Sequence, residues 1–208
     1  MKKSITLHKK LFAIFFAFGL FVFTVTAQQN TVKSEREAKG RVFVSKSTPE
    51  IRLKFGKKFK FAGSQEFVLY DRANAAQYFF VEAEDKKIKR LFMLQFEGFL
   101  PGIEGKYDYD EPNSATVGGI KYFSNSENIP DVEAALKAVP DSDIAKAAKF
   151  LKDKGFILMN SIKYQRFVRV LGEAKRNEFI MLYVEDAEMP NNNVDLQTRA
   201  LANFKVQK

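Results

Sequence analysis

Carboxylate side chains are the first candidates for chemistry in this chain of 208 residues. Asp108, Asp110 and Glu111 follow Tyr107 closely, and Glu97 precedes them. Paired carboxylates can hydrolyse glycosidic bonds, which makes Glu97, Asp108 and Asp110 candidate catalytic residues. Oxygen ligands also suit calcium, for which Asp108, Asp110 and Glu111 are candidates, although the EF-hand pattern is absent. The simpler alternative leaves these acids in solvent beside the neighbouring tyrosines.

The nucleophiles and metal ligands that many enzymes use are nearly absent. His8 is the only histidine, and the chain has no cysteine. If the segment containing His8 is removed, a Ser-His-Asp triad, a cysteine nucleophile and a histidine- or thiolate-bound metal are all excluded. The chain has neither a phosphate-loop motif nor a dinucleotide-binding motif. We therefore predict no cofactor and a non-enzymatic protein, with a carboxylate-dependent extracellular hydrolase as the alternative.

The first 27 residues are typical of a secretory signal peptide. Lysines precede an apolar run over residues 11–25, and Val25 and Ala27 are the small residues expected before a cleavage site. The run is shorter than the roughly 20 residues that a spanning helix needs. We expect cleavage after Ala27 and a periplasmic or extracellular protein, with no transmembrane span after cleavage. The leader also holds four lysines and no acid, so the formal net charge of +9 overstates the charge of the exported chain.

Aromatic side chains supply the candidate binding residues. A concave sheet lined by such side chains under a helix can hold an apolar ligand, whereas the alternative is an ordinary core. The candidate ligand-binding residues are Phe79, Phe92, Phe96, Phe99, Tyr107 and Tyr109. An apolar or amphipathic ligand, an envelope component or a protein is the expected partner.

Two lysine clusters suggest contact with an anionic surface. Lys57 and Lys58 lie in one predicted turn, and Lys86 and Lys87 lie in another. Together they would serve an envelope-associated interaction protein, but lysines at sheet edges also prevent aggregation. Nucleic acid is not expected as a partner, because export and a modest charge argue against it.

Alternating apolar residues predict strands over the first half of the domain. The patterns indicate a hairpin of residues 51–55 and 58–61 around Gly56, a longer pair of residues 77–84 and 88–100, and one strand over residues 116–123.

The second half predicts two helices, two strands and a last helix. Helices are expected over residues 131–139 and after Ser142, where Ile144, Ala147, Ala148 and Leu151 recur at helical spacing. Strands are expected over residues 162–171 and 178–185, the latter being continuously apolar. A helix over residues 162–175 remains an alternative, and a last helix is expected over residues 194–203.

This order of elements predicts an α+β fold. We expect a flexible N-terminal segment over residues 28–40 and a single α+β domain over residues 41–208. The domain should contain an antiparallel β-sheet with two to three helices packed mainly on one face.

Overall fold

The computed structural model describes residues 35–109, 113–190 and 194–207. The predicted signal peptide, Asp110 and Glu111 lie outside these described residues. No helix in the described ranges is long and apolar enough to cross a membrane. The elements, in chain order, are β1 (Arg36–Lys39), β2 (Val42–Ser45), β3 (Ile51–Phe55), β4 (Lys60–Leu69), β5 (Ala73–Glu84), β6 (Lys87–Phe99), β7 (Ser114–Val117), β8 (Ile120–Ile129), α1 (Val132–Ala138), α2 (Asp143–Asp153), β9 (Ile162–Leu171), β10 (Asn177–Asp186), α3 (Leu196–Ala202) and β11 (Phe204–Gln207).

Two antiparallel sheets organise these elements. The large sheet has the strand order β4-β5-β6-β10-β9-β8-β7, and the small sheet has the order β1-β2-β3-β11. The long strands β6 and β10 lie at the centre of the large sheet, with Phe96 directly opposite Phe179. The protein is therefore mainly β with some helices, which agrees at this level with the predicted antiparallel α+β class.

The two faces of the large sheet belong to different apolar clusters. On one face, Phe80 and Phe92 pack with Phe43 and Phe55 of the small sheet. Ala200 of α3 belongs to that same cluster. On the opposite face, residues such as Phe79, Met93 and Leu182 pack with Ala147 and Leu151 of α2. The alternation of side chains along a strand produces this division, because successive residues point to opposite faces.

Several predicted elements are confirmed. The pair of strands around residue 85 forms β5 and β6, and residues 162–171 form a strand rather than the alternative helix. The predicted helices also appear, and α2 begins where the Ser142 side chain accepts a hydrogen bond from the Ala145 amide. This N-cap satisfies a backbone donor that has no partner within the helix.

Three predictions about strands are wrong. The strands on either side of Gly56 do not form a hairpin, because β3 pairs with β2 and β11 whereas β4 pairs with β5. Residues 114–129 form two strands joined by a turn at Gly118 and Gly119, not one strand over residues 116–123. Residues 36–39, predicted within the flexible segment, pair with β2. In each case the strand pairs with a neighbouring strand that its own apolar periodicity does not predict.

A bulge at Gly63 lets α2 approach the edge of the large sheet. The register between β4 and β5 shifts between Phe61 and Gly63, where φ is +137°. A Cβ at this position would lie 2.8 Å from Cζ of Phe150, whose ring stacks on Phe79. The absence of a side chain at residue 63 therefore permits the contact between helix and sheet.

We expect Gly63→Ala to lower the free energy of unfolding by about 1–3 kcal/mol, through backbone strain and displacement of Phe150. Gly102→Ala is the matched control, because Gly102 also has a positive φ but a Cβ added there would meet no atom within 4 Å. Urea unfolding of both variants measures the difference. Equal losses of stability in the two variants would show that displacing Phe150 adds nothing to the cost of backbone strain.

Candidate ligand-binding site

An apolar cavity of about 360 Å³ lies between the large sheet and the first two helices. Its walls come from α1, α2, the segment after α2 and four neighbouring strands. The lining is mostly aliphatic and includes Leu91, Met93, Ile129, Val132, Ala135, Leu136, Ala147, Leu151, Met159, Ile162, Ile180, Leu182 and Val184.

The cavity exists because α1 does not pack closely against the sheet. None of its residues is buried, although Val132, Ala135 and Leu136 line the cavity. Val139 and Ile144 also line it and are 51% and 39% exposed. Apolar side chains left half-exposed retain a favourable free energy of burial, which a bound apolar group can release.

Polar side chains lie at one end of this cavity. Ser142, Asp143 and Arg166 contribute to its lining. The Arg166 Nε donates a hydrogen bond to Asn125 Oδ1 at 2.8 Å, and its guanidinium lies 5.6 Å from the centre of the Tyr109 ring. The lining therefore combines a mostly aliphatic wall with a few charged groups, which is an arrangement that suits an amphipathic molecule.

A row of glutamines leads across the sheet to this polar end. The Gln65 Nε2 donates to Gln77 Oε1 at 2.7 Å, and the Gln77 Nε2 donates to Gln95 Oε1 at 2.6 Å. The Gln95 Nε2 then donates to Glu97 Oε2 and to Asp143 Oδ2, at 2.8 and 3.0 Å. These bonds hold the first residue of α2 against the sheet and fix the side-chain orientations of the row.

Two glutamates lie side by side next to this row. Glu97 on β6 is directly opposite Glu178 on β10. The Tyr107 hydroxyl donates to Glu97 Oε1 at 2.8 Å, and the Tyr109 hydroxyl donates to Glu178 Oε2 at 2.5 Å. Both glutamates line an open, more polar cleft of about 1020 Å³ at the end of the sheet.

Burial has the largest effect on the pKa values of these two glutamates. It raises the pKa of Glu178 to about 7, and the neighbouring Glu97 carboxylate adds to the rise. Burial likewise raises the pKa of Glu97, while the hydrogen bonds from Tyr107 and Gln95 oppose that shift. Glu178 is therefore partly protonated near neutral pH, which is the property of a carboxyl group that can exchange protons.

The structure does not bring the six predicted aromatic residues together. Phe79 is buried against α2, whereas Phe92 and Phe96 are buried on the opposite face of the sheet. The rings of Phe99 and Tyr107 pack at a tilt with their centres 4.7 Å apart, next to Glu97. Tyr109 lies beside Phe123. None of the six lines the aliphatic cavity within the described part of the chain.

The predicted acidic residues are also divided. Glu97 lies on the sheet, but Asp108 points outwards, where it pairs with Lys106 at 2.9 Å and Lys175 at 3.2 Å. These two lysines lower the pKa of Asp108 through hydrogen bonds and charge. No group of three or more potential metal ligands occurs among the described residues.

The four lysines predicted to contact an anionic surface lie in two turns. Lys57 and Lys58 connect β3 to β4, and Lys58 Nζ is 3.6 Å from Glu82 Oε1. Lys86 and Lys87 lie at the turn between β5 and β6, with Lys86 over the Phe156 ring.

Sequence reasoning missed both main features of the site. The helical spacing of Ile144, Ala147, Ala148 and Leu151 predicts an apolar helix face, but not a space beneath it. The pairing of Glu178 with Glu97 depends on the register between β6 and β10, which neither strand reveals by its own pattern.

No protein-family model, curated protein or solved structure matches this chain.

Proposed function

We propose that this protein is an exported, non-enzymatic binding protein that holds an apolar or amphipathic ligand beneath α1 and α2. The aliphatic cavity of about 360 Å³ is the single observation that carries the proposal. Ligand sites generally range from roughly 300 to 1,000 Å³. An engineered apolar cavity of roughly 150 Å³ already binds benzene, so a space of this size suits a larger apolar group.

The composition of the lining supports an amphipathic ligand. Apolar side chains surround most of the cavity, and Asp143 and Arg166 are the charged residues among its described lining. A ligand with one apolar chain would lie along Leu182 and Val184, and its polar head would meet these charges. The cavity lies at the lower limit of the usual size range, which favours one chain over two.

The test uses N-phenyl-1-naphthylamine, a dye that fluoresces in apolar surroundings. We expect the exported protein to bind the dye, and fatty acids or single-chain phospholipids to displace it. Ala135→Trp fills the cavity, because Ala135 lines it, and should weaken dye binding by roughly tenfold or more. Ala138→Trp is the matched control, because Ala138 is exposed on the same helix.

Fluorescence titration of the two variants decides the question. Unchanged dye binding by Ala135→Trp, or equal losses of dye affinity in both variants, would contradict the proposal.

Intact mass of the exported chain tests the accompanying expectation of cleavage after Ala27. A molecule that co-purifies with the protein and is lost from Ala135→Trp would identify the ligand class.

Carboxylate-dependent hydrolysis is a second candidate function, favoured by the juxtaposition of Glu97 and Glu178. Directly opposite residues on antiparallel strands have Cβ atoms about 4.5–5.5 Å apart. A glutamate carboxyl group lies two carbon–carbon bonds beyond its Cβ atom, so this pairing keeps both carboxyl groups near one substrate without fixing their separation, which is about 5–5.5 Å in retaining glycosidases and about 6.5–9.5 Å in inverting ones. The raised pKa of Glu178 suits a general acid. Hydrolysis of chromogenic glycosides, abolished in Glu178→Gln, would support this function in place of simple binding.

A further inference from the structure

The outer face of the small sheet carries a row of lysines. Lys54 on β3 lies directly opposite Lys205 on β11. Lys54 also pairs with Val42 on β2, which in turn pairs with Lys39 on β1. The alternating residues of the same strands, such as Phe43 and Leu53, are completely buried. The lysine row therefore points away from the core.

Two more cations lie at the same end of the small sheet. The Arg41 Nη1 donates to the Phe55 carbonyl oxygen, which is next to Lys54. Lys57 follows Gly56, whose amide donates to the carbonyl oxygen of Asn203, the residue before β11. Lys39, Arg41, Lys54, Lys57 and Lys205 together form what we call the basic face.

Within the described residues, the charges of the basic face are not paired with acidic side chains. In the described ranges, none of its five cations has an acidic partner within 4.0 Å, and Glu37 faces outwards nearer the other end of β1. Like charges directly opposite each other on neighbouring strands destabilise a sheet. The pair of Lys54 and Lys205 therefore costs free energy in the isolated protein, and an anionic partner would offset that cost.

We propose that the basic face docks onto an anionic phospholipid surface. The row crosses four strands, about 14 Å in extent, and presents compact ammonium groups across a sheet. Lysines near an anionic bilayer are attracted to it additively. Among the described residues on the outer face of the small sheet, Val42 and Val44 are the only apolar ones. It therefore lacks the exposed aromatic rings that stack on nucleic-acid bases or anchor protein interfaces.

This proposal is independent of the cavity. The small sheet covers one face of the large sheet, and the cavity lies on the other face beneath α1 and α2. A protein docked through the basic face would therefore keep the exposed lining residues Val139 and Ile144 on the side away from the lipid.

The test is co-sedimentation of the exported chain with vesicles, with its N-terminus established by intact mass. We expect binding to vesicles of equal parts phosphatidylglycerol and phosphatidylcholine, and no binding to phosphatidylcholine alone. The variant Lys39→Gln/Lys54→Gln/Lys205→Gln should bind roughly 100-fold more weakly. Raising the salt to about 0.5 M should release the wild-type protein, because screening shortens the range of charge attraction.

The matched control removes three exposed lysines from the opposite side of the molecule, as Lys137→Gln/Lys149→Gln/Lys152→Gln. It carries the same change in net charge and should bind within about twofold of wild type. Equal losses in both variants would overturn the proposal, because net charge alone would then explain binding. Absence of vesicle binding, or tighter binding to duplex DNA than to the anionic vesicles, would also overturn it. Thermal unfolding of each variant verifies that it folds.

Discussion

Arg199→Ala is expected to lower the free energy of unfolding by about 3–5 kcal/mol, because it leaves a buried carboxylate without its partner. Glu185 on β10 is 3% exposed, and the Arg199 guanidinium on α3 binds both of its carboxylate oxygens. The Tyr183 hydroxyl donates to the same carboxylate at 2.9 Å. In the variant this tyrosine would still donate to the carboxylate, but one hydrogen bond from a neutral hydroxyl does not replace a charge pair in the core.

A double variant separates the cost of leaving the Glu185 charge unpaired from the loss of packing by the Arg199 side chain. In Arg199→Met/Glu185→Gln the glutamine can still accept from Tyr183 but carries no charge. We expect this variant to recover most of the stability lost in Arg199→Ala, because replacing both partners of a buried pair is far less costly than removing one. Chemical denaturation measures the free energy of unfolding of each variant. Arg52→Ala, at an exposed position with one hydrogen bond to Gln207, should cost less than about 0.5 kcal/mol. A comparable loss there would refute the argument from burial.

The sequence was most informative where strands are long and regular. Alternation in residues 77–84 and 88–100 predicted the β5–β6 pair, and the continuous apolar run at 178–185 predicted a central buried strand. Both follow from burial on the two faces of a sheet, which leaves a periodic or unbroken apolar pattern. These strands also position the cavity and the two glutamates.

The small sheet could not be predicted in the same way. Its strands have only four or five residues, and β3 pairs with β11, which lies at the far end of the chain. Short segments carry too little periodicity to define a register, and such distant pairing depends on tertiary contacts. The lysine row across this sheet therefore could not be predicted either, because Lys39, Lys54 and Lys205 are far apart in sequence.

The cavity could be predicted from the sequence only in part. Helical spacing predicted that Ala147 and Leu151 face inwards, and both do. Periodicity states which side of a helix is apolar, but not how closely that side approaches the sheet. The half-exposed side chains of α1 create the cavity, and they depend on the path of the chain between β8 and α2.

The stability of the protein is expected to fall as the pH rises from about 4.5 to about 7, and Glu178→Gln should remove much of that fall. Burial raises the pKa of Glu178 from 4.5 to about 7, so the folded state binds this proton more tightly than the unfolded state does. The resulting stabilisation is complete below the unfolded pKa and is lost as the pH passes through the folded pKa. The shift corresponds to a loss on the order of 3 kcal/mol.

The groups around Glu178 determine how closely the variant isolates this effect. Glu97 on β6 and Asp143 on α2 add to the rise in its pKa, whereas Tyr109 in the loop and Arg166 on β9 oppose it. Burial also raises the pKa of Glu97, so part of the pH dependence should remain in Glu178→Gln. The glutamine can accept the hydrogen bond from Tyr109, which keeps the packing unchanged while the charge is removed.

Urea unfolding at pH 5 and pH 8 measures the effect. We expect Glu178→Gln to be more stable than wild type at pH 8, by on the order of 1–3 kcal/mol, and similar to wild type at pH 5. Glu84→Gln is the control, because Glu84 is an exposed strand-end glutamate that should leave the wild-type pH dependence in place. A wild-type stability that rises between pH 5 and pH 8 and is unaffected by Glu178→Gln would show that this carboxyl group is ionised at little cost in the folded state. In that case the Glu97–Glu178 pair would not contain the proton donor that the hydrolytic alternative requires.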